Sequence, residues 1–351
     1  MRLSTELTVG MVALVAATAG AVGFFTYRSV EAAIVPGLFD QVSHHARELG
    51  SDLQSFVRGA QLDVLSFRDT VLVRGIVDDP SNGAFERGYR SIFALRLVSE
   101  LKNKPEYYRF RLIGVADGGR EIVRVDRSGP AGAIRIVPDQ MLQREGERGF
   151  FQAAIRLPLN EVYVSPIELS RDKDGIENPH VPILETATPV YAADGRVQAI
   201  LVITLDMRPA FERLRVWKQD GGQIYLINAS GDYLVHPDRS REFAFEFGMP
   251  VRAQADFPAF NERIGAEDFA SDETHEVVGD RIGAVIAPRR IPHGPLVAII
   301  ETVPYSLLRI PAIAVGRSGL VVAVAAICPG GKSAGAPQAS FRAEMLVGGI
   351  H

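Results

Sequence analysis

The sequence predicts an α+β protein in which a long N-terminal helix precedes two sets of antiparallel strands, with a hydrophobic segment at either end. Three observations support this fold class. Residues 34–71 place apolar side chains at steps of three and four, as on one face of a helix. Two series of alternating, strand-like runs follow, and each begins with a hairpin around a glycine-containing turn. Apolar stretches with at most one charge lie at residues 9–27 and 310–328.

The composition excludes several classes of protein. The 351 residues are 47% hydrophobic and 23% charged, which is typical of a folded chain. The net charge of -4, without a basic stripe, argues against nucleic acid as a partner. Cys328 is the only cysteine, so no intramolecular disulfide bond forms. The sequence has no Walker, dinucleotide-binding or cysteine-based zinc motif, and we expect no cofactor and no metal.

The first hydrophobic segment, residues 9–27, carries no charge and is about as long as the ~20 residues that cross a bilayer. Aromatic residues at its outer end, such as Phe24 and Tyr27, suit a membrane interface. We expect a transmembrane helix here, with residues 1–8 in the cytoplasm. The alternative is a signal peptide cleaved near Ala17-Thr18-Ala19.

The second hydrophobic segment, residues 310–328, is interrupted by Arg317, which is unfavourable at the centre of a membrane helix. We nevertheless expect a second transmembrane helix, because it follows the last predicted strand. The tail at residues 329–351 is rich in glycine, alanine and proline and predicts irregular structure.

Residues 28–104 are expected to form the long helix and a helical connection. Pro36 suits the first turn of a helix or a kink. The apolar stripe from Ile34 to Val71 includes His45. A second helix is predicted at residues 85–101, after a turn at residues 79–83.

Two strand-rich modules are predicted, at residues 105–207 and 208–309. The first begins with a hairpin whose strands, 107–114 and 120–127, flank a glycine-rich turn at 115–119. A short helix at 207–217 separates the modules. Further strands are predicted at 162–167, 183–190, 197–206, 223–228, 232–235, 277–278, 282–288 and 296–302.

Parts of both modules resemble bacterial double Cache sensor domains. The run RLIGVADGGREIVRVDR at residues 111–127 resembles their first module, as do the Tyr163-x-Ser165-Pro166 and Thr188-Pro189 patterns. The run IYLINASGDYLVHPD at residues 224–238 resembles their second module. The resemblance covers residues 30–310. It implies two stacked PAS-like modules on a long helix, flanked by transmembrane helices, with the sensor outside the plasma membrane in the periplasm.

Such domains control histidine kinases, diguanylate cyclases or chemoreceptors. The chain carries no HAMP, kinase or GGDEF-type sequence after Cys328, so we expect no enzymatic activity in it. We expect that the gene is truncated or frameshifted there. The alternative is a short sensor that acts through a partner.

The candidate ligand site lies in the first module. Arginine side chains provide planar forks for carboxylates, and alternation places Arg109 and Arg111 on one face of their strand. The alternative is that Arg111 and Arg124 only pair with Glu121, Asp126 or Glu185 and stabilise the fold. The candidate ligand-binding residues are Arg109, Arg111, Arg124, Asp126, Tyr163, Ser165, Glu185 and Thr186.

The second module offers Tyr225, Tyr233 and His236, and we expect His236 to serve in a structural turn. The predicted function is the sensing of a small molecule, such as a carboxylate or an amino acid, by a membrane-bound homodimer. The alternative is a periplasmic interaction or dimerisation module that binds no ligand.

Overall fold

The computed structural model describes residues 2–77, 83–128, 132–172, 175–216, 221–266, 274–278 and 282–304. The chain divides into two compact units, one of residues 1–35 with 309–351 and one of residues 36–308. In the first unit the described residues are helical. The predicted second transmembrane segment and the tail lie outside the described residues, as does nearly all of the predicted turn at 79–83.

Seven helices are described, and the longest confirms the predicted N-terminal helix. Pro36 lies inside it rather than at its start. The second predicted helix, 85–101, and the short one, 207–217, are also found with slightly different ends. The helices are α1 (Arg2–Arg68), α2 (Val71–Val77), α3 (Gly83–Asn103), α4 (Ala116–Gly119), α5 (Gly149–Ala154), α6 (Arg208–Val216) and α7 (Ala253–Asp256).

The apolar stripe of α1 is largely buried, from Val42 to Phe67. The prediction is wrong at Val71, whose side chain is 76% exposed. The helix ends at Arg68, and Thr70 begins a new one by accepting a hydrogen bond from the Val73 amide at 3.5 Å. The change of axis therefore takes Val71 off the buried face.

Residues 9–27, the predicted first transmembrane segment, are part of α1. Among the residues that the structure describes, no helix is both long and apolar enough to cross a membrane.

The strands form two main antiparallel sheets and a small two-stranded one. Most predicted strands are found, but the one predicted at 162–167 is reduced to two residues. The strands are β1 (Tyr107–Gly114), β2 (Glu121–Ser128), β3 (Ala133–Ile136), β4 (Tyr163–Val164), β5 (Glu168–Leu169), β6 (Arg171–Asp172), β7 (Gly175–Ile176), β8 (Pro182–Tyr191), β9 (Val197–Asp206), β10 (Gln223–Asn228), β11 (Tyr233–Val235), β12 (Thr274–Val278), β13 (Ile282–Arg290) and β14 (Leu296–Pro304).

The two main sheets share one strand order. The first runs β3-β2-β1-β9-β8-β4, with β5 also paired to β8, and the second runs β11-β10-β14-β13-β12. In each sheet, the strand that comes first in the chain lies between the second and the last: β1 lies between β2 and β9, and β10 lies between β11 and β14. We call the first sheet and the segments covering it the first lobe, and the second sheet and its cover the second lobe.

One face of each sheet packs against α1 in a continuous apolar core. Leu53 and Val57 of α1, Leu201 of β9 and Ile299 of β14 belong to the same buried cluster. The long helix therefore supports both lobes. The opposite face of each sheet is covered by loops and short helices, and it is there that the two lobes differ.

Candidate functional site

The strand register brings most of the predicted site residues to one face of the first sheet. Arg109 lies opposite Asp126, and Arg111 lies opposite Arg124. Thr204 of β9 is paired in register with Arg109 of β1 on one side and with Glu185 of β8 on the other, so Arg109 and Glu185 lie on the same face of the sheet. Because side chains alternate along a strand, these groups point away from α1, toward the covering loops. The predicted cluster of charged residues on one face therefore exists.

Two predicted residues do not take part in it. Thr186 follows Glu185 and points to the opposite face, where its hydroxyl donates to the Ile203 carbonyl at 3.3 Å. The Ser165 hydroxyl accepts from the Glu185 amide at 2.9 Å and donates to the Pro166 carbonyl at 2.7 Å. Both hydroxyls serve the backbone, and the structure does not bring them to a ligand position.

The inner part of the cluster is occupied by ion pairs. Arg111, whose side chain is 3% exposed, hydrogen-bonds Glu185 and lies 3.6 Å from Glu145. Its guanidinium stands 4.6 Å above the Phe150 ring of α5. Arg124 donates to Asp126 at 3.0 Å. These contacts match the alternative in which Arg111 and Arg124 stabilise the fold.

Burial shapes the charges of this network. Burial raises the pKa of Glu121 and, together with the neighbouring Arg109, lowers the pKa of Arg124. Burial also opposes the charge of Arg111, but Glu185 and Glu145 outweigh it and leave the pKa of Arg111 raised. The surroundings of Arg111 therefore favour its charged form, whereas those of Arg124 disfavour its charged form.

The outer part of the cluster opens into a cavity of about 460 Å³. Of the predicted residues, Arg109 and Asp126 line it. The remaining wall comes largely from β6, β7 and the residues after them. The lining is Tyr108, Arg109, Asp126, Arg127, Ser128, Gly132, Arg135, Asp172, Gly175, Ile176, Glu177, Asn178, Pro179, Val181 and Arg208.

Arg109 and Glu177 form an ion pair on the wall of this cavity. Arg109 donates to Glu177 at 2.8 Å, and Glu177 also accepts from the Tyr108 hydroxyl at 2.7 Å. Burial opposes the charge of Glu177, but Arg109 and the hydrogen bond from Tyr108 together outweigh it, so the pKa of Glu177 is lowered. The Nε atom of Arg109 is buried, lies 4.0 Å from Asp126, and has no hydrogen-bond partner within the described part of the chain.

Two half-exposed arginines stand beside these buried groups. Arg135 of β3 is 45% exposed and donates to Asp126 at 2.8 Å. Arg208 is 50% exposed and is held by Asp206. No sequence pattern predicted a site role for Arg135, Arg208 or Glu177. Arg135 lies in a short alternating run that was assigned to no strand, and nothing local distinguishes Glu177.

The equivalent face of the second lobe is closed by aromatic rings. The Tyr233 hydroxyl donates to Asp256 at 2.6 Å, and its ring lies 4.7 Å from that of His236. Phe257 and Phe260 complete the buried cluster. As predicted, His236 belongs to a structural turn, because its Nδ1 accepts from the Asp238 amide at 2.9 Å.

Comparison with known proteins finds similarity to sensor domains. Residues 97–261 match the family model described as bacterial histidine kinase, sensor domain. This segment is therefore similar to the sensor domains of bacterial histidine kinases. It begins inside α3 and includes all the strands of the first sheet and the first two of the second. None of the curated proteins matches the chain.

Several solved sensor domains are similar in fold. The extracellular domain assigned to a histidine kinase, vpHK1S-Z8, has 18% identity and a TM-score of 0.64, with 79% of this chain and 95% of that chain covered. A domain of a sensory box/GGDEF family protein from Vibrio parahaemolyticus has 18% identity and a TM-score of 0.64, with 78% and 99% covered.

The periplasmic sensory domain of a chemoreceptor from Campylobacter jejuni has 13% identity and a TM-score of 0.53, with 78% and 96% covered. At such low identity the likeness establishes the fold alone. The chain therefore has a fold that occurs in the sensor domains of histidine kinases, of a GGDEF family protein and of chemoreceptors.

Proposed function

We propose that the chain senses a small extracytoplasmic molecule in the cavity of the first lobe, as the sensor portion of a histidine kinase, diguanylate cyclase or chemoreceptor. One observation carries this proposal. The cavity of about 460 Å³ presents a buried arginine, Arg109, whose Nε has no hydrogen-bond partner among the described residues. Leaving such a donor unsatisfied is costly, and a ligand acceptor would relieve that cost.

The charges of the wall favour a carboxylate, and more specifically an amino acid. Arg135 and Arg208 are half exposed, so their guanidinium groups are accessible to a carboxylate in the bidentate geometry that arginine provides. Glu177 and Asp172 lie on the wall and offer carboxylates to an ammonium group. A zwitterion would thus find both complements in one cavity.

The wider architecture belongs to the same proposal. The shared strand order of the two sheets supports tandem Cache modules at residues 105–207 and 208–309. The hydrophobic sequences at 9–27 and 310–328 support anchoring in the plasma membrane, with the lobes in the periplasm. We include a homodimer in this proposal, and light scattering of the purified full chain measures it.

Isothermal titration of the full chain against a panel of amino acids and organic acids tests the ligand. We expect at least one member to bind, and Arg109→Gln to weaken that binding. Losing a hydrogen bond to a charged group costs about 1.5–3 kcal/mol, which is roughly a ten- to hundredfold rise in Kd.

Arg196→Gln is the matched control. Arg196 is 76% exposed, pairs only with Asp194 in the β8–β9 turn among the described contacts, and is absent from the cavity wall. Binding that survives Arg109→Gln unchanged, or no binding by any member of the panel, would contradict the proposal.

The second candidate function is a lobe that binds no ligand and acts through protein contacts. The observation in its favour is that Arg111 and Arg124 are already paired with carboxylates. A titration panel without a binder, combined with a concentration-dependent dimer, would favour this alternative.

A further inference from the structure

The carboxylate of Glu246 connects the two lobes. It lies in a 3-10 turn, Ala244–Phe247, that belongs to the second lobe. Its Oε1 accepts from the Leu169 amide at 3.2 Å, and its Oε2 accepts from Arg171. The Glu246 side chain is only 7% exposed, and both of its partners belong to the first lobe.

Glu246 is held firmly on its own side. The turn is bounded by left-handed residues, Phe243 (φ 55°) and Gly248 (φ 73°), which fix its direction. The Phe243 amide donates to the carbonyl of Tyr233 at 2.9 Å, and Tyr233 is at the centre of the aromatic cluster. The turn that carries Glu246 is therefore hydrogen-bonded directly to the strand that carries Tyr233.

On the other side, the two residues held by Glu246 continue into the cavity wall. Between Leu169 and Arg171 lies Ser170, whose carbonyl accepts from the Glu177 amide at 2.8 Å. Glu177 is the residue that holds Arg109 in the cavity. One backbone hydrogen bond thus separates the segment held by Glu246 from the central polar group of the site.

We propose that Glu246 is a positioning residue that couples the ligand cavity of the first lobe to the aromatic cluster of the second. This inference rests on the proposed function, because it assigns a route by which an occupied cavity alters the second lobe. A charged ligand competes for Glu177, and a shift of Glu177 moves Ser170 and the contacts of Glu246. Occupancy changes the second lobe only as far as the ligand binds the two arrangements with different affinity.

The test uses the full chain and needs no ligand. Glu177→Gln alters the cavity from within, and hydrogen exchange measured by mass spectrometry follows peptides that cover residues 233–249. With Glu246 in place, we expect Glu177→Gln to speed exchange in these peptides. With Glu246→Gln, which removes the charge but keeps an acceptor for the Leu169 amide, we expect that response to be lost.

Two further variants make the result specific. Arg171→Gln breaks the same contact from the first lobe and should abolish the response equally, so a misfolded Glu246 variant does not decide the test. Glu242→Gln is the matched control, because Glu242 lies near Glu246 but bonds Arg215 and the His236 amide instead. It should leave the response from the cavity intact.

A purely structural role for Glu246 would raise local exchange without changing the response to Glu177→Gln. We expect local exchange around Arg171 to rise about tenfold in Glu246→Gln, because the charged hydrogen bond between Glu246 and Arg171 is lost. The coupling is overturned if the response persists in both Glu246→Gln and Arg171→Gln, or if the otherwise unaltered chain shows no response. A ligand panel without a binder would refute the proposed function and leave this measurement unaffected.

Discussion

The two lobes have the same strand order but opposite chemistry on the face that points away from α1. In the first lobe this face carries buried ion pairs beside a cavity of about 460 Å³. In the second lobe it carries a closed aromatic cluster around Tyr233 and Phe260. Sheets of the same strand order therefore carry a polar cavity in the first lobe and a packed apolar core in the second.

The difference between the polar face of the first lobe and the aromatic face of the second suggests to us separate tasks for the two lobes. Buried charges tolerate little displacement, because each needs its partner, and they leave polar groups to which a ligand can bind. Aromatic packing needs no ligand for its stability and transmits displacement because interiors are close-packed. We therefore expect sensing in the first lobe and mechanical transmission in the second.

The largest expected effect is in the aromatic cluster. Phe260→Ala removes a ring that is 0% exposed, and it should lower the free energy of unfolding by about 3–5 kcal/mol. Urea denaturation followed by circular dichroism measures this loss. Phe247→Ala, at a ring 47% exposed, is the control and should cost far less. A loss below about 1 kcal/mol for Phe260→Ala would show that the second lobe is not closed by packing.

The ion pairs of the first lobe should behave differently from a packed core. Arg111→Met leaves Glu185 buried without its main partner and should cost about 3–5 kcal/mol. Adding Glu185→Leu removes the unpaired charge and should recover most of that loss. Urea denaturation of the single and double variants gives the coupling free energy between Arg111 and Glu185. If the double variant were as unstable as the single one, the unpaired charge of Glu185 would not be the cause of the lost stability.

The junction of α1 with the second sheet should respond to pH. Glu301, whose side chain is 0% exposed, accepts from Nδ1 of His45 at 2.8 Å. His45→Leu removes this donor and should cost about 1–3 kcal/mol at pH 7. His44→Leu is the control, because the neighbouring His44 is 63% exposed. Equal losses for the two variants would argue against a specific contact.

The sign of the pH dependence follows from burial, which raises the pKa of Glu301 above its ordinary value of 4.5. The contribution of Glu301 is therefore fully present below pH 4.5 and is lost as the pH rises through the raised value in the folded protein. Glu301→Gln should gain stability relative to the natural chain as the pH rises over this interval. Urea titrations at several pH values measure the difference, and a constant difference would contradict it.

The smallest expected effect on stability lies at the cavity rim. Arg135→Gln should change the free energy of unfolding by only about 0–1 kcal/mol, since Arg135 is 45% exposed. The same change should weaken the binding of a carboxylate ligand, which titration measures. A large loss of stability without a change in binding would show that Arg135 has a structural role and does not bind the ligand.

The sequence predicted the regular elements well where their patterns were local. Strands 107–114, 197–206 and 223–228 were found with the predicted ends, because alternation and flanking turns define them within a few residues. The strands β5, β6 and β7 were missed, because a run of two residues is too short to show an alternating pattern. Val71 was misplaced because the break after Arg68 interrupts the helical period.

The candidate site was predicted in part for a related reason. Alternation placed Arg109, Arg111, Arg124 and Asp126 on one face correctly. Alternation did not reveal which arginines are engaged in ion pairs, because a partner such as Glu145, which lies near Arg111, comes from a loop that is distant in sequence. Glu177 and Arg135 were missed, since their role arises only where separate segments meet.

Local sequence patterns specify the α+β class, the long helix and the hairpins, because hydrophobic period and turn residues act over short distances. Tertiary structure alone decided which charged residues are buried in pairs and which line the cavity. Only the folded chain brings Glu246 to Arg171, across 75 residues of sequence. Such contacts depend on long-range packing, which no local pattern specifies.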